Sequence, residues 1–353
     1  MARNEVDRVQ YQTVQEESSK LISRPLVATL IIFSGMIALF FGIAASISLG
    51  AADIDFRTVW EGVFQFNPDL TAHQIIQELR MPRAIAAALV GAFLAVSGAI
   101  MQGMTRNPLA SPSIMGITAG SAFMIAIAFA FFPGTSYIGL MLWSFVGAGM
   151  SACLVFAIGS FSKGGLTPVK LALAGTAVSA LLSSISSAIA IHFRVAQDIS
   201  FWYAGGVAGT KWISIQILLP VAVIGLCLAF ILARSITVLS LGEEVAKGLG
   251  QRTVLVKVLG TIVVLLLTGA AVSVAGSVGF IGLVIPHITR FLVGVDYRWI
   301  IPCAAILGAL LLVLADLGAR MINPPFETPV GAITALIGVP FFLYLARREG
   351  RGL

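Results

Sequence analysis

Charge is scarce in this chain. Only 11% of its 353 residues are Asp, Glu, Lys or Arg, against about 25% in an ordinary soluble domain. With 58% hydrophobic residues, the polar residues are too few to coat two or three soluble domains of this combined length. The same apolar content excludes a disordered chain. The 36 glycines and 14 prolines follow no short period, which excludes a fibrous repeat. There are three cysteines (Cys153, Cys227, Cys303) and three histidines (His73, His192, His287), all widely scattered. No spacing among them resembles a metal site, and the cysteines read as small apolar packing residues. A phosphate-binding loop is missing as well: Gly209-Thr210-Lys211 is the nearest approach to G-x-x-x-x-G-K-[ST] and fails it. What remains is an all-α polytopic membrane protein.

What the chain does have is long runs without an ionisable side chain. A helix needs about 20 apolar residues to cross the hydrocarbon. The run from 107 to 162 is broken by the turn signal Phe132-Pro133-Gly134 and holds two spans. The run from 258 to 289 carries Gly276, Gly279 and Gly282, where the chain could reverse. The pattern predicts ten spans, near 26–50, 82–104, 114–133, 139–161, 169–193, 212–233, 254–275, 279–295, 299–319 and 329–346. With both termini cytoplasmic, 16 of the 22 Lys/Arg lie inside and 6 outside, as the positive-inside rule requires. The net charge of +6 then reflects topology, and no nucleic-acid partner is implied. The chain divides into a charged cytoplasmic head (1–24), a membrane domain (25–348) and a basic tail (349–353). The head has four basic and four acidic residues, which is not the pattern of a cleavable signal peptide.

Ion-driven transporters usually keep an ionisable group near mid-bilayer. Here the deep parts of nearly every span have none; Asp316, Arg320 and Glu327 cluster around one outer loop, and His287 lies towards an inner end. No paired acids or nucleophile and base fall on facing helices, so a membrane enzyme is disfavoured too. An ion-coupled secondary transporter stays open as the contrasting class. If transport is active, another subunit must supply the energy.

Several strings carry more than hydropathy. They are Leu79-Arg80-Met81-Pro82-Arg83; Arg106-Asn107-Pro108-Leu109-Ala110; Leu241-Gly242-Glu243-Glu244-Val245-Ala246-Lys247-Gly248-Leu249-Gly250; Gly279-Phe280-Ile281-Gly282-Leu283 with Pro286-His287; and Pro329-Val330-Gly331 running on to Pro340-Phe341. Asn107-Pro108 ends a helix, and Pro286-His287 suggests a break or bend. Gly242 and Gly248 bracket a short amphipathic helix with Val245 and Leu249 at i, i+4, suited to docking in a partner's groove. A solvated connector is the alternative.

Together, in this order and spacing, the five strings resemble the permease subunits of the ABC importers for ferric siderophores, haem and cobalamin. The resemblance runs from about residue 26 to 348 and implies a ten-helix, cobalamin-permease-like fold. It implies a bacterial cell-membrane location, four protein partners (two cytoplasmic ATPase subunits, a second permease, identical or related, and an extracytoplasmic binding protein) and a ferric siderophore of hydroxamate type as cargo. Cobalamin or haem is the alternative cargo. The chain itself would bind no cofactor, and ATP and Mg would sit on the ATPases. In the resemblance, the loop of about 235–252 seats on the ATPases, with Glu243, Glu244 and Lys247 as polar contacts beside Leu241, Gly242, Gly248, Leu249 and Gly250. Arg80, Arg83 and Arg320 would receive carboxylates of the binding protein, in the fork geometry that guanidinium offers. Lipid anchoring or pairing with Glu78 and Asp316 is the other reading of those arginines. The cytoplasmic gate would lie near Thr167-Pro168, and the pathway would be lined by small, apolar and hydroxyl-bearing residues. The string Phe201-Trp202-Tyr203 reads first as an interfacial aromatic belt.

Overall fold

The computed structural model describes residues 23–50, 54–161, 168–204, 206–323 and 326–349. Most of the charged head, the end of the basic tail and Thr167 lie outside the described residues. The described residues form helices joined by short turns, with no strand among them. Seven helices are long and apolar enough to cross a membrane: α1 (Pro25–Ser48), α3 (Thr71–Thr105), α5 (Tyr137–Phe161), α6 (Pro168–His192), α8 (Trp212–Ser240), α10 (Thr253–Ala275) and α12 (Tyr297–Ile322). Three shorter apolar helices stand where the third, eighth and tenth spans are expected: α4 (Ile117–Phe131), α11 (Ile281–Val293) and α13 (Val330–Glu349). Three short α-helices, α2 (Phe56–Phe64), α7 (Ala196–Ala204) and α9 (Glu243–Gly248), and a 3-10 turn over Pro112–Met115 complete the order. Hydropathy alone predicts neither α2 nor α7. The charge bias assigns the Ser48 end of α1 to the outside, and "outer" and "inner" are used below in that sense.

The centre of the bundle is α3. Its apolar stretch is 83% buried, against 17% for α1, and it packs on α12, α10, α8 and α11. Ala, Gly and Ser dominate its sequence, and the close approaches explain why. A Cβ on Gly91 would collide with the Gly308 carbonyl, and one on Gly98 with the Gly282 carbonyl. Pro286 has no N–H to give that Gly282 carbonyl. The bare Cα of Gly98 therefore packs against a carbonyl that the helix cannot satisfy itself. A second glycine pair, Gly120 with Gly147, joins α4 to α5.

The expected break at Pro286-His287 lies elsewhere. Helix α11 runs through Pro286, and the chain reverses upstream, where Gly276 has φ of 59° and Phe280 has φ of 67°. Pro286 is the sixth residue of α11, so its missing N–H leaves the Gly282 carbonyl without its usual intrahelical donor while the helix continues. At 13 residues, α11 covers only about 20 Å of a hydrocarbon layer of about 30 Å. The irregular segment before it is tolerated because it is packed in protein: Gly276 meets the carbonyls of Trp202 and Tyr203, and Phe280 lies on Gly338.

Candidate functional site

At the outer end, α3 begins with a π turn over Ile75–Arg80, where the Met81 N–H donates to the Ile76 carbonyl. Pro82 explains it. In a regular α-helix the proline ring would press on the carbonyl four residues back, and a widened turn relieves that contact. The turn sets Arg80 and Arg83, both under 9% exposed, on separate inward tasks. Arg80 donates from Nη1 to the carbonyls of Ile47 (2.8 Å) and Ser48 (2.7 Å). Arg320 donates from Nη2 to the Ser46 carbonyl (3.0 Å) and hydroxyl (2.6 Å). These two cations thereby cap the last turn of α1, whose carbonyls have no partner within the helix.

Arg83 makes a bidentate fork with Asp316, through Nε (3.0 Å) and Nη2 (2.9 Å), and its Nη1 donates to Glu327 at 2.5 Å. Asp316 is 1% exposed and also holds Arg320 at 3.4 Å. Thus the three arginines expected at the binding-protein face do lie together, but each is already engaged from within. Of the two carboxylates proposed as their local partners, Asp316 takes that place and Glu78 stays exposed. Glu327, 51% exposed, is the most exposed member of the cluster.

Midway down, the motif residues serve packing. His287 stacks edge-on against Phe341, centroids 5.7 Å apart, and Gly331 lies beside the Ser277 carbonyl. Gly279 has open space around it. Pro329 precedes α13 and accepts from the Ala332 N–H, while Pro340 stands inside that helix. Near the inner end, buried Gln102 donates to the Leu283 carbonyl (3.2 Å) and accepts from Arg290 (2.9 Å). The aromatic string divides: Phe201 is exposed, whereas the Tyr203 hydroxyl donates to the Thr118 carbonyl at 3.0 Å.

On α6, Thr176, Ala180, Ser183 and Ser187 recur at i, i+4, i+7 and i+11 and are all exposed. The Thr176 hydroxyl donates to the Leu173 carbonyl and that of Ser187 to the Ser183 carbonyl, each at 2.9 Å. Pro168 is the first residue of this helix.

At the inner end, α9 is the short helix expected between Gly242 and Gly248. Gly242 (φ 136°) and Gly250 (φ 78°) adopt backbone conformations open mainly to glycine. Glu243 bridges Lys257 at 2.6 Å and Lys247 at 3.1 Å, tying α9 to α10. Those two ammonium groups hold the Glu243 carboxyl below its ordinary value. Glu244 and Lys247 are exposed, and Leu241 (50%), Val245 (49%) and Leu249 (68%) present an apolar strip to solvent. Beside this strip stands Arg106, the head of the motif string Arg106-Asn107-Pro108-Leu109-Ala110. Asn107 next to it forms a local turn, its Oδ1 accepting from the Leu109 N–H at 2.9 Å, ahead of Pro108.

With both ends of the bundle described, similarity can be weighed. The chain is 65% identical to the iron(3+)-hydroxamate import system permease protein FhuB of Bacillus subtilis, across 99% of this chain and 92% of that protein. It is 46% identical to the iron-uptake system permease protein FeuB of the same organism, across 91% and 96%. A solved structure of a metal-chelate-type ABC transporter in an inward-facing conformation superposes with a TM-score of 0.79 at 31% identity, covering 91% of this chain and 99% of that one. The profile of the FecCD transport family matches residues 36–348. A match of that extent, on a bundle with this helix order, makes the chain a multi-pass membrane protein of the FecCD transport family.

Proposed function

We propose that the chain is the permease of an ATP-driven importer that carries a ferric hydroxamate siderophore into the cytoplasm. The observation that carries the cargo is the 65% identity over nearly the whole length with an iron(3+)-hydroxamate permease, against 46% with another iron-uptake permease. Two ATPase subunits seat on the α9 surface, and a second permease, identical or related, completes the pathway. The bundle has ten crossings with both termini inside. The chain moves its cargo without transforming it, and ATP with Mg is held by the ATPases.

The exposed hydroxyl and alanine face of α6 suits a pathway wall. The Thr176 and Ser187 hydroxyls bond to their own helix, so the face offers weakly polar contact to a bulky chelate. The gate lies at the start of that helix, around Thr167-Pro168. At the outer rim the binding protein docks over Arg80, Arg83 and Arg320. Because those guanidiniums are already held, an incoming carboxylate competes with half-exposed Glu327 for Arg83 rather than meeting a bare charge.

The test is uptake of radioactive iron supplied as a ferric hydroxamate, in cells with and without the gene. Uptake that depends on the gene, and that excess unlabelled hydroxamate but not catecholate, haem or cobalamin suppresses, is the expected result. Loss of cobalamin or haem use instead would keep the machine and replace the cargo. Gene-dependent uptake that survives loss of the ATPase and collapses with an ion gradient would refute ATP-driven import.

A further inference from the structure

We infer that Arg106 is a second leg of the ATPase-docking surface, a guanidinium held ready for a carboxylate on the ATPase. This rests on the reading of α9 as the coupling helix and extends it to the α3–α4 turn.

Three observations converge on Arg106. Its backbone is left-handed, with φ of 52° and ψ of 34°, at the end of α3. Glycine or asparagine is the usual occupant of such a position, because a Cβ there crowds the following carbonyl. A strained arginine at a helix end points to a use for its side chain. Second, that side chain is exposed and has no hydrogen-bond or ion-pair partner among the described residues. Among the described residues no side-chain bond of Arg106 rewards the strain.

Third, it stands beside α9. Nη1 lies 3.8 Å from where a Cβ on Gly242 would stand. The guanidinium therefore lies at contact distance from the glycine that allows the sharp entry to α9. Arg106 thus stands at one end of the strip formed by Leu241, Val245 and Leu249, and exposed Arg252 follows the other end. An apolar strip with a charged rim has the anatomy of a protein interface. The rim also carries Glu244, exposed and without an ion pair among the described residues. The rim thus carries both signs, Glu244 against Arg106, Lys247 and Arg252, as the polar rim of a protein interface does, and it surrounds the helix that the proposed function seats on the ATPases. The partner fitted is an ATPase groove with an apolar floor, a carboxylate opposite Arg106 and a cation opposite Glu244.

The consequence is mechanical. Helix α3 is one element from Thr71 to Thr105, with the Arg83 cluster at its outer end and Arg106 at its inner end. ATPase movement would reach it directly through Arg106, in parallel with the α9 loop.

The experiment uses the full-length chain with its partner permease in nanodiscs of neutral lipid, titrated with its own purified ATPase subunit. Arg106→Asn keeps a residue comfortable in the left-handed region, so the fold is retained while the guanidinium is lost. Expected at low salt are about a tenfold weaker Kd for R106N and a larger loss for R106E, with R106K between R106N and wild type and all differences shrinking at high salt. The double variant V245D/L249D should abolish binding and reports on α9 by itself. If V245D/L249D abolishes binding while R106N and R106E stay within about twofold of wild type, the role of Arg106 is refuted and α9 docking stands. If V245D/L249D also binds normally, the docking reading falls and this inference with it. If R106N weakens assembly only in nanodiscs with anionic lipid, the partner is the membrane and the inference is overturned.

Discussion

Replacing Asp316 with alanine should destabilise the protein more than any other single loss of charge at its outer rim. Asp316 is 1% exposed and serves two guanidiniums that are themselves 9% and 10% exposed. Breaking a buried pair by removing one partner costs about 3–5 kcal/mol, because the remaining charge is stranded. Two local features hold the cost near the lower bound: Glu327 remains on Arg83, and Ser46 remains on Arg320. At about 2 °C per kcal/mol for a chain of this size, the melting midpoint in nanodiscs should fall by about 6 °C. The pair R83M/D316L removes the bidentate fork without stranding Arg83, and it should recover at least half of that loss. The double-mutant cycle of R83M, D316L and R83M/D316L then returns a coupling energy of about 2 kcal/mol or more. A D316A midpoint within about 1 °C of wild type would refute the argument, as would a double variant no more stable than D316A.

Other outcomes follow from the same structure. Gly98→Val drives a side chain into the Gly282 carbonyl and should abolish folded protein on size-exclusion chromatography, while Gly318→Ala, with nothing within 4 Å of its Cβ, should leave the elution profile unchanged. Glu243 is held ionised by Lys257 and Lys247, so its contribution is complete above the ordinary carboxylate range and is lost as pH falls through its lowered value. Limited proteolysis of the 241–250 loop should therefore be flat from about pH 8 to 5 and accelerate below about pH 4, and E243Q should be cut faster from about pH 8 to 5, the difference closing as pH falls below about 4. Arg80→Ala with Arg320→Ala uncaps α1 and should raise hydrogen exchange at Ala45–Leu49, with little change in α10. Ser183→Trp with Ser187→Trp fills the hydroxyl face of α6 and should cut ferric hydroxamate uptake at least tenfold while the ATPase still co-purifies.

The sequence by itself determined the class and most of the elements. Long uncharged runs can be helices only where backbone groups must be satisfied internally, so scarce charge was enough to place the main spans. Glycines at 242 and 248 marked α9, because capping and turn chemistry act over a few neighbouring residues. The arginines at 80, 83 and 320 were legible as a group that breaks the charge bias, but their partners were not. Asp316 meets Arg83 across 233 positions, and only packing of α3 against α12 brings them together. The same holds for Pro286, whose missing bond mattered less than the glycine of another helix lying against its orphaned carbonyl. Arg106 is the sharpest case. Its sequence neighbours say only that a helix ends there; tertiary structure gave it a left-handed backbone, no partner among the described residues, and a place beside Gly242. Periodicity and turn chemistry are local and can be read along the chain, whereas charge pairing and helix seams depend on distances that exist only after the helices have packed.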